Sequence, residues 1–264
     1  MTDAANLSRA KISDFLACSR RFQLRYLEQM PWPIVNRDPE SERSMDLGQQ
    51  FHTLLHRHFL RIPPKADELS EPDLKRWWGQ FKSFEPRIPD GHAEAELTLT
   101  VPIGGLTLTG RFDLLVDTGD TIHIYDWKTF GRARTREQLR QDLQSRIYLA
   151  MVAESGEVLG RKIKAEEIIL TYWFFSHPPV EVILPYGRRE HLENWNYLTS
   201  IATEIERMLD LQGSWSLTED YNECARCAYQ IPCRRVQTGS EAEAADFADW
   251  SDTEDDAPIE PAVP

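Results

Sequence analysis

The sequence predicts an α/β fold, because strand-like and helix-like segments both recur along its 264 residues. Residues 107–128 contain two runs rich in Leu, Ile, Val and Thr on either side of the turn residues 117–120, a pattern that predicts a β-hairpin. Residues 166–175 are the most strand-like run in the chain and predict a buried central strand. Apolar residues at helical spacing predict long helices over residues 8–30, 45–60 and 189–211.

The composition is that of a soluble protein with a real core, since 41% of the residues are hydrophobic. No run of 18 apolar residues occurs, which excludes a membrane-spanning helix and a membrane partner. The first residues also lack the apolar region of a signal peptide. We therefore expect a cytoplasmic protein.

The net charge of −13 is concentrated at the C-terminus. Residues 241–264 contain nine acidic residues and no basic one, and without those nine charges residues 1–240 carry −4. This composition predicts a disordered acidic tail. Such a tail can mimic nucleic acid in the protein's own basic groove, recruit a partner, or act only as a solubilising segment.

The predicted hairpin concentrates charged groups on one side. A two-residue loop at 118–119 pairs Asp113 with Ile124 and puts Asp113, Asp126 and Lys128 on the same face. The two aspartates are then diagonal neighbours about 7–8 Å apart, close enough to hold one hard cation. The alternative is a surface hairpin whose polar face is in water. Apolar residues beside both aspartates favour a buried face, where carboxylates without a partner indicate function.

These residues carry a resemblance to a known family. The segment G-R-F-D at 110–113, followed by D-W-K-T at 126–129, resembles the PD-(D/E)xK nuclease motif, and more narrowly its RecB-type branch. The sequence departs from the pattern at Phe112, which replaces Pro or Ile, at Leu114, which replaces a frequent Arg, and at Asp126, the shorter of the two allowed acids. None of these changes removes a ligand.

The resemblance spans residues 8–235 and implies a fold and a chemistry. The implied fold is a restriction-endonuclease-like mixed central sheet flanked by helices, with helical N-terminal additions, in one nuclease domain over residues 1–240. The implied chemistry is hydrolysis of DNA phosphodiester bonds with Mg²⁺ or Mn²⁺. The implied metal ligands are His52, Asp113, Asp126 and the backbone carbonyl of Trp127, and Lys128 is implied to orient or activate the attacking water.

His52 lies in the predicted helix 45–60, within L-G-Q-Q-F-H, and matches the histidine that family members place near the metal. His56 follows four residues later, but Thr53 stands where a zinc protease needs Glu, which excludes that class. Without the family context, His52 would be interpreted as a helix histidine with its hydrogen bonds satisfied.

A helix is predicted from about Thr135, where Thr135 and Gln138 match a capping box. Gln144 and Tyr148 are four residues apart on this helix and so lie one above the other. They resemble the Q-x-x-x-Y motif of the RecB branch, which implies that they position the DNA strand or the lysine. Five arginines nearby form either a solubilising surface or a phosphate track: Arg132, Arg134, Arg136, Arg140 and Arg146.

Residues 94–101 alternate well enough to predict the first strand. Glu96 on this strand could approach the metal site. The interpretation as a surface acid on an edge strand is equally good.

The four cysteines divide into Cys18 and a C-terminal group with C-x2-C-x5-C spacing, formed by Cys224, Cys227 and Cys233. An intracellular chain of this size makes a disulfide framework improbable, and four thiolates suit either tetrahedral zinc or a [4Fe–4S] cluster. The segment F-x-x-C-x-R-R-F at 15–22 together with the C-terminal group resembles the iron–sulfur clasp of RecB-type nucleases and the CRISPR-associated Cas4 group. The resemblance favours iron–sulfur over zinc, with a role that is structural first.

The resemblance implies an exonuclease on single-stranded DNA ends, in repair, recombination or CRISPR adaptation. No helicase motif occurs, so unwinding, where it is needed, must come from another protein. The expected partners are a helicase or CRISPR adaptation proteins. Two other classes remain open, a non-catalytic DNA-end adaptor of the same fold and a zinc-stapled protein-interaction module.

Overall fold

The computed structural model describes residues 5–31, 39–65, 67–129, 131–156 and 159–235. The chain divides into two compact units. The terminal unit comprises Met1–Asn36, Pro102–Thr109 and Tyr197–Pro264, and the hairpin unit comprises Arg37–Val101 and Gly110–Asn196. The predicted acidic tail lies outside the described residues, and the single domain over residues 1–240 stays a prediction.

The strands form one mixed sheet of six, which confirms the predicted α/β fold with a central sheet flanked by helices. Their order is β1-β3-β4-β5-β6, with β2 paired to β3. The β3–β4 and β5–β6 pairs are antiparallel, whereas β4 and β5 are parallel. The strands are β1 (Asn6–Leu7), β2 (His92–Ile103), β3 (Leu106–Asp117), β4 (Ile122–Lys128), β5 (Ile168–Phe174) and β6 (Val180–Pro185).

The α-helices are α1 (Arg9–Ala17), α2 (Ser19–Phe22), α3 (Pro39–Phe59), α4 (Pro72–Phe84), α5 (Arg136–Gln141), α6 (Leu143–Glu154), α7 (Arg188–Leu209) and α8 (Tyr221–Ala225). Single turns of 3-10 helix occur at Asp67–Leu69, Glu85–Arg87 and Ala165–Glu167. Within the part of the chain that the structure describes, no helix is both long enough and apolar enough to cross a membrane.

In the hairpin unit, α3 and α4 bury their apolar faces against one side of the hairpin. Phe51 of α3 and Phe81 of α4 are fully buried there, together with Leu114, Tyr125 and Trp127 from the hairpin. This core uses the alternate residues of β3 and β4, so the residues between them point to the other face.

Helix α3 begins at Pro39, six residues before the predicted start of the helix over residues 45–60. Proline is favoured in the first turn of a helix, and Glu40 and Glu42 follow it at the positive end of the helix dipole. The predicted helix from Thr135 is divided in two, because Asp142 takes an extended backbone conformation and caps α6 with its side chain.

In the terminal unit, the predicted continuous helix over residues 8–30 is wrong at Cys18 and after Leu27. Cys18 is extended, with φ −165° and ψ 113°, and separates α1 from α2. A π-helical turn over Gln23–Leu27 follows α2 and ends the helical segment. The fully buried Phe22 ring stacks on Trp215 with centroids 5.7 Å apart, which holds α2 against the segment after α7.

Candidate active site and cysteine pocket

The hairpin turns through a longer loop than predicted. The outermost β3–β4 pair is Asp117 with Ile122, which leaves residues 118–121 as the loop. Within it, both the backbone N–H and the hydroxyl of Thr118 donate to the Thr121 carbonyl at 3.0 Å. Gly119 has φ +92°, a conformation that favours glycine, so a four-residue loop is well accommodated here.

The longer loop shifts the register, so the predicted pairing of Asp113 with Ile124 is wrong. Ile124 pairs with Leu115, and the last pair in this register is Leu114 with Tyr125. Asp113 and Asp126 are the next residues beyond that pair on the two strands. A shift of two residues keeps every side chain on its face, which is why both aspartates still lie on the face away from the α3–α4 core.

Asp126, Lys128 and Gln144 form a closed triangle of polar contacts. The Lys128 Nζ lies 3.0 Å from Asp126 Oδ1 and donates to Gln144 Oε1 at 2.9 Å. Gln144 Nε2 in turn donates to Asp126 Oδ2 at 2.9 Å. Asp126 is only 2% exposed. The lysine ammonium therefore has two fixed acceptors, and the buried carboxylate has a charged partner and a neutral one.

Tyr148 contacts strand β3. Its hydroxyl donates to the backbone carbonyl of Arg111, and its ring lies against Phe112 with centroids 4.4 Å apart. Gly110 allows this approach of β3 to α6, since a Cβ there would lie 3.1 Å from the Met151 sulfur. The structure thus places Tyr148 against the backbone that leads to Asp113.

His52, from α3, connects the two strands of the hairpin. Its Nε2 donates to the carbonyl of Trp127 at 3.0 Å, and its Nδ1 lies 3.3 Å from Asp113 Oδ1. The backbone N–H of Trp127 donates to Asp113 Oδ2 at 2.7 Å. With Nε2 donating, a neutral ring turns its Nδ1 lone pair toward a carboxylate oxygen, an arrangement that calls for a proton or a cation between them.

The Asp113 carboxylate is held in its charged form. Burial acts to raise the pKa of Asp113, but the charge and the hydrogen bond of His52, the Trp127 N–H and the charge of Lys128 together hold that pKa below its ordinary value. A buried carboxylate that stays ionised is a suitable ligand for a hard divalent cation.

Glu96, on β2, joins His52 and Asp113 in a group of possible metal ligands, a role that the sequence alone left undecided. One ligand atom each from His52, Glu96 and Asp113 lie within 4.8 Å of one another. Asp126 is outside this group and keeps its contacts with Lys128 and Gln144. Glu96 was ambiguous in the sequence because only its strand, and not the direction of its side chain, could be predicted.

A comparison with known families decides the classification. The family model described as PD-(D/E)XK nuclease superfamily matches residues 6–234, most of the chain. The chain belongs to the PD-(D/E)XK nuclease superfamily. No curated protein matches the sequence.

Solved structures are also similar to this PD-(D/E)XK chain, among them two crystal structures. One is a crystal structure of a candidate exonuclease from Eubacterium rectale, with a TM-score of 0.56 and 10% identity over 92% of each chain. At that identity the similarity shows the fold alone. The other, a crystal structure of SSO0001, covers 88% of each chain at 14% identity, and its TM-score of 0.39 is too low to carry an argument.

The predicted arginine track of this PD-(D/E)XK protein lies on and before α5 and α6. Arg134 is committed to an ion pair with Asp142, the residue that caps α6. Arg146 donates to Gln141 at 2.6 Å. These contacts stabilise the helices that carry Gln144, so at least two of the arginines have a structural role whatever they bind.

The four cysteines lie in the terminal unit and are all free thiols. They line one open pocket with Arg21 and Arg235. In the described chain, however, no three of their sulfur atoms lie within 4.8 Å of one another, so they do not form a closed metal site. Burial raises the pKa of the Cys224, Cys227 and Cys233 thiols, an environment unlike that of a reactive thiolate.

Proposed function

We propose that this PD-(D/E)XK protein is a deoxyribonuclease that uses Mg²⁺ or Mn²⁺. The observation that carries the proposal is the triangle of Asp126, Lys128 and Gln144 beside the His52–Asp113 contact. This arrangement fixes the Lys128 ammonium next to charged carboxylates, which is what phosphodiester hydrolysis requires of a protein.

The proposed metal ligands are His52, Asp113, Asp126 and the carbonyl of Trp127. The ionised Asp113 and the Nδ1 of His52 fit a divalent cation by their chemistry. When bound, the ion neutralises phosphate charge and lowers the pKa of a water ligand. Lys128, oriented by its two acceptors, stabilises the charge that develops on the phosphate oxygens.

Gln144 and Tyr148 complete the proposed machinery as positioning residues. Gln144 holds the Lys128 ammonium and the Asp126 carboxylate in one geometry. Tyr148 holds the backbone of β3 through the Arg111 carbonyl, two residues before Asp113. The Q-x-x-x-Y spacing thus ties one helix to both strands of the hairpin, which supports assignment to the RecB-type branch.

Single-stranded DNA ends are the proposed substrate, and the proposed setting is repair, recombination or CRISPR adaptation beside a helicase or an adaptation protein. Arginines on α5 and α6 support binding of a phosphate backbone. This part of the proposal rests on the RecB-type and Cas4-like sequence patterns.

The cysteine pocket supports a [4Fe–4S] cluster over zinc. Sulfurs bound to one zinc ion at about 2.3 Å in a tetrahedron must lie within about 3.8 Å of one another. The observed sulfurs share a pocket without that close approach. A cluster of four irons joins sulfurs that are farther apart, so it suits this pocket better. Metal and sulfide analysis of the purified protein tests the choice, and stoichiometric zinc would reverse it.

The nuclease proposal is tested with labelled single-stranded DNA and Mg²⁺ or Mn²⁺. Asp126→Asn and Lys128→Met should each abolish cleavage. Asp126→Asn removes the charged partner of Lys128, and Lys128→Met removes the positive charge of the lysine itself. Asp120→Asn is the matched control, an exposed aspartate in the loop of the same hairpin. Equal cleavage by wild type and Asp126→Asn would mean that the activity is a contaminant, and binding without cleavage by wild type would identify an adaptor.

A further inference from the structure

We infer that Glu96 is a ligand of the divalent cation, so that His52, Glu96 and Asp113 together form a position suited to Mn²⁺. The inference rests on the proposed function and extends it, because the RecB-type pattern supplies His52 and Asp113 but assigns nothing to Glu96.

The first argument is convergence. Glu96, His52 and Asp113 come from β2, α3 and β3, which are far apart in the chain, and their ligand atoms meet within 4.8 Å. Atoms bound to one ion at about 2.1–2.4 Å lie no more than about 4.8 Å apart, so these three can share an ion with little movement. None of the three is an exposed residue.

The second argument is charge. Two carboxylates that approach each other on a half-buried face repel unless a positive charge is present. The Nδ1 of His52 faces Asp113 Oδ1 at 3.3 Å. Adding Glu96 brings a second negative group to the same place. A divalent cation compensates both carboxylates and also uses the lone pair of a neutral imidazole.

The third argument is the backbone at Glu96. Its φ is +54°, a left-handed conformation inside a 12-residue strand. Such a conformation costs a non-glycine residue about 1–3 kcal/mol and is concentrated at binding sites. The alternation of buried and exposed side chains in β2 is regular from residue 98 onward and is interrupted over residues 94–97. The distortion therefore directs this side chain away from its regular direction.

The competing role for Glu96 is an ion pair with Arg111, whose Nε lies 3.2 Å from Glu96 Oε2. The Arg111 side chain in that pair is 34% exposed. A pair of that kind contributes about 1 kcal/mol or less to stability. It does not account for the approach of Glu96 to His52 and Asp113.

The ligand set indicates which ion to use as the probe. Two carboxylates and one imidazole nitrogen suit a first-row transition ion better than Mg²⁺, which prefers oxygen ligands and retains its waters. Mn²⁺ accepts both ligand types and is paramagnetic, so its binding can be measured without DNA and without turnover.

The experiment measures Mn²⁺ binding to the full chain by electron paramagnetic resonance and calorimetry. Glu96→Gln should weaken the affinity for Mn²⁺ at least about tenfold, since even changes to groups outside the ligand shell cost about 10–100-fold. Glu94→Gln is the matched control, because it removes the same charge two residues away on the same strand and should leave the affinity unchanged. Glu94 is paired with His92 at 3.2 Å.

Two results would overturn the inference. One is unchanged Mn²⁺ affinity in Glu96→Gln accompanied by lower thermal stability, which would identify Glu96 as the partner of Arg111 alone. The other is an equal loss in both variants, which would show a general effect of charge. The proposed nuclease function is tested separately: if Glu96→Gln loses Mn²⁺ but wild type cleaves no DNA, the ligand assignment stands and the function fails.

Discussion

Replacing Gln144 by Met should separate the positioning of Lys128 from its charge. Gln144 is 5% exposed and accepts from Lys128 at 2.9 Å while donating to Asp126 at 2.9 Å. Methionine has a similar length and volume but can do neither. The direct contact of Lys128 with Asp126 at 3.0 Å survives, so the charge pair stays and only its geometry loosens.

The magnitude follows from the contact that is lost. A hydrogen bond to a charged group is worth about 1.5–3 kcal/mol. If the contact with Lys128 is needed in the transition state, kcat should fall by about 10- to 150-fold, at about 1.4 kcal/mol per tenfold change. Gln144 is not assigned a contact with the DNA substrate, so KM should change little.

The assay is steady-state cleavage of labelled single-stranded DNA, with the melting temperature measured in parallel. Gln50→Met, at an exposed position of α3, is the matched control and should have wild-type kcat. A kcat for Gln144→Met within about twofold of wild type, in a protein with an unchanged melting temperature, would refute the idea that Gln144 positions Lys128.

Three predictions concern stability. Phe22→Ala should cost about 3–5 kcal/mol in urea unfolding of the terminal unit, because Phe22 is fully buried and stacked on Trp215. Thr135→Val should cost about 1 kcal/mol, because it removes the capping hydroxyl of α5. The hydrogen bond from Arg161 lowers the pKa of Asp117, so this pair should stabilise the protein above the ordinary pKa of 3.8 and lose that contribution as the pH falls through the lower folded-state value.

Each stability prediction has a control. Leu16→Ala, at a side chain 48% exposed, should change the free energy of unfolding far less than Phe22→Ala. Thr135→Ser keeps a capping oxygen and should behave as wild type, and if Thr135→Val does so too, the cap is unimportant. Asp117→Asn should be less stable than wild type at pH 7 and equal to it below the folded-state pKa. If the difference in unfolding free energy between wild type and Asp117→Asn stayed constant from pH 7 to below the folded-state pKa, the predicted dependence on the ionisation of Asp117 would be wrong.

The hairpin shows which structural features the local sequence can predict. Alternating apolar residues and the Asp117–Asp120 turn predicted both strands and the face that carries Asp113, Asp126 and Lys128, because side-chain direction in a strand has a period of two. The register was predicted wrongly by two residues. The hydrogen bonds between Thr118 and Thr121 selected a four-residue loop, and such side-chain bonds to the backbone compete closely with tighter turns.

The breaks in the helices show a similar limit. Apolar spacing predicted helical segments around Cys18 and Asp142, because one face of each must be buried. It did not predict the two interruptions, since a single extended residue hardly changes the spacing. Asp142 is a good capping residue that could have signalled the start of α6, whereas Cys18 offers no such signal.

Residue types and short spacings were sufficient to predict the α/β class, the hairpin with its two aspartates and lysine, and the helix that carries Gln144 and Tyr148. These features depend on local periodicity and on motifs a few residues long. The approach of Glu96 to His52 and Asp113 could not be predicted in this way. It depends on a left-handed backbone at one residue and on the packing of three distant elements, and both are properties of the folded chain.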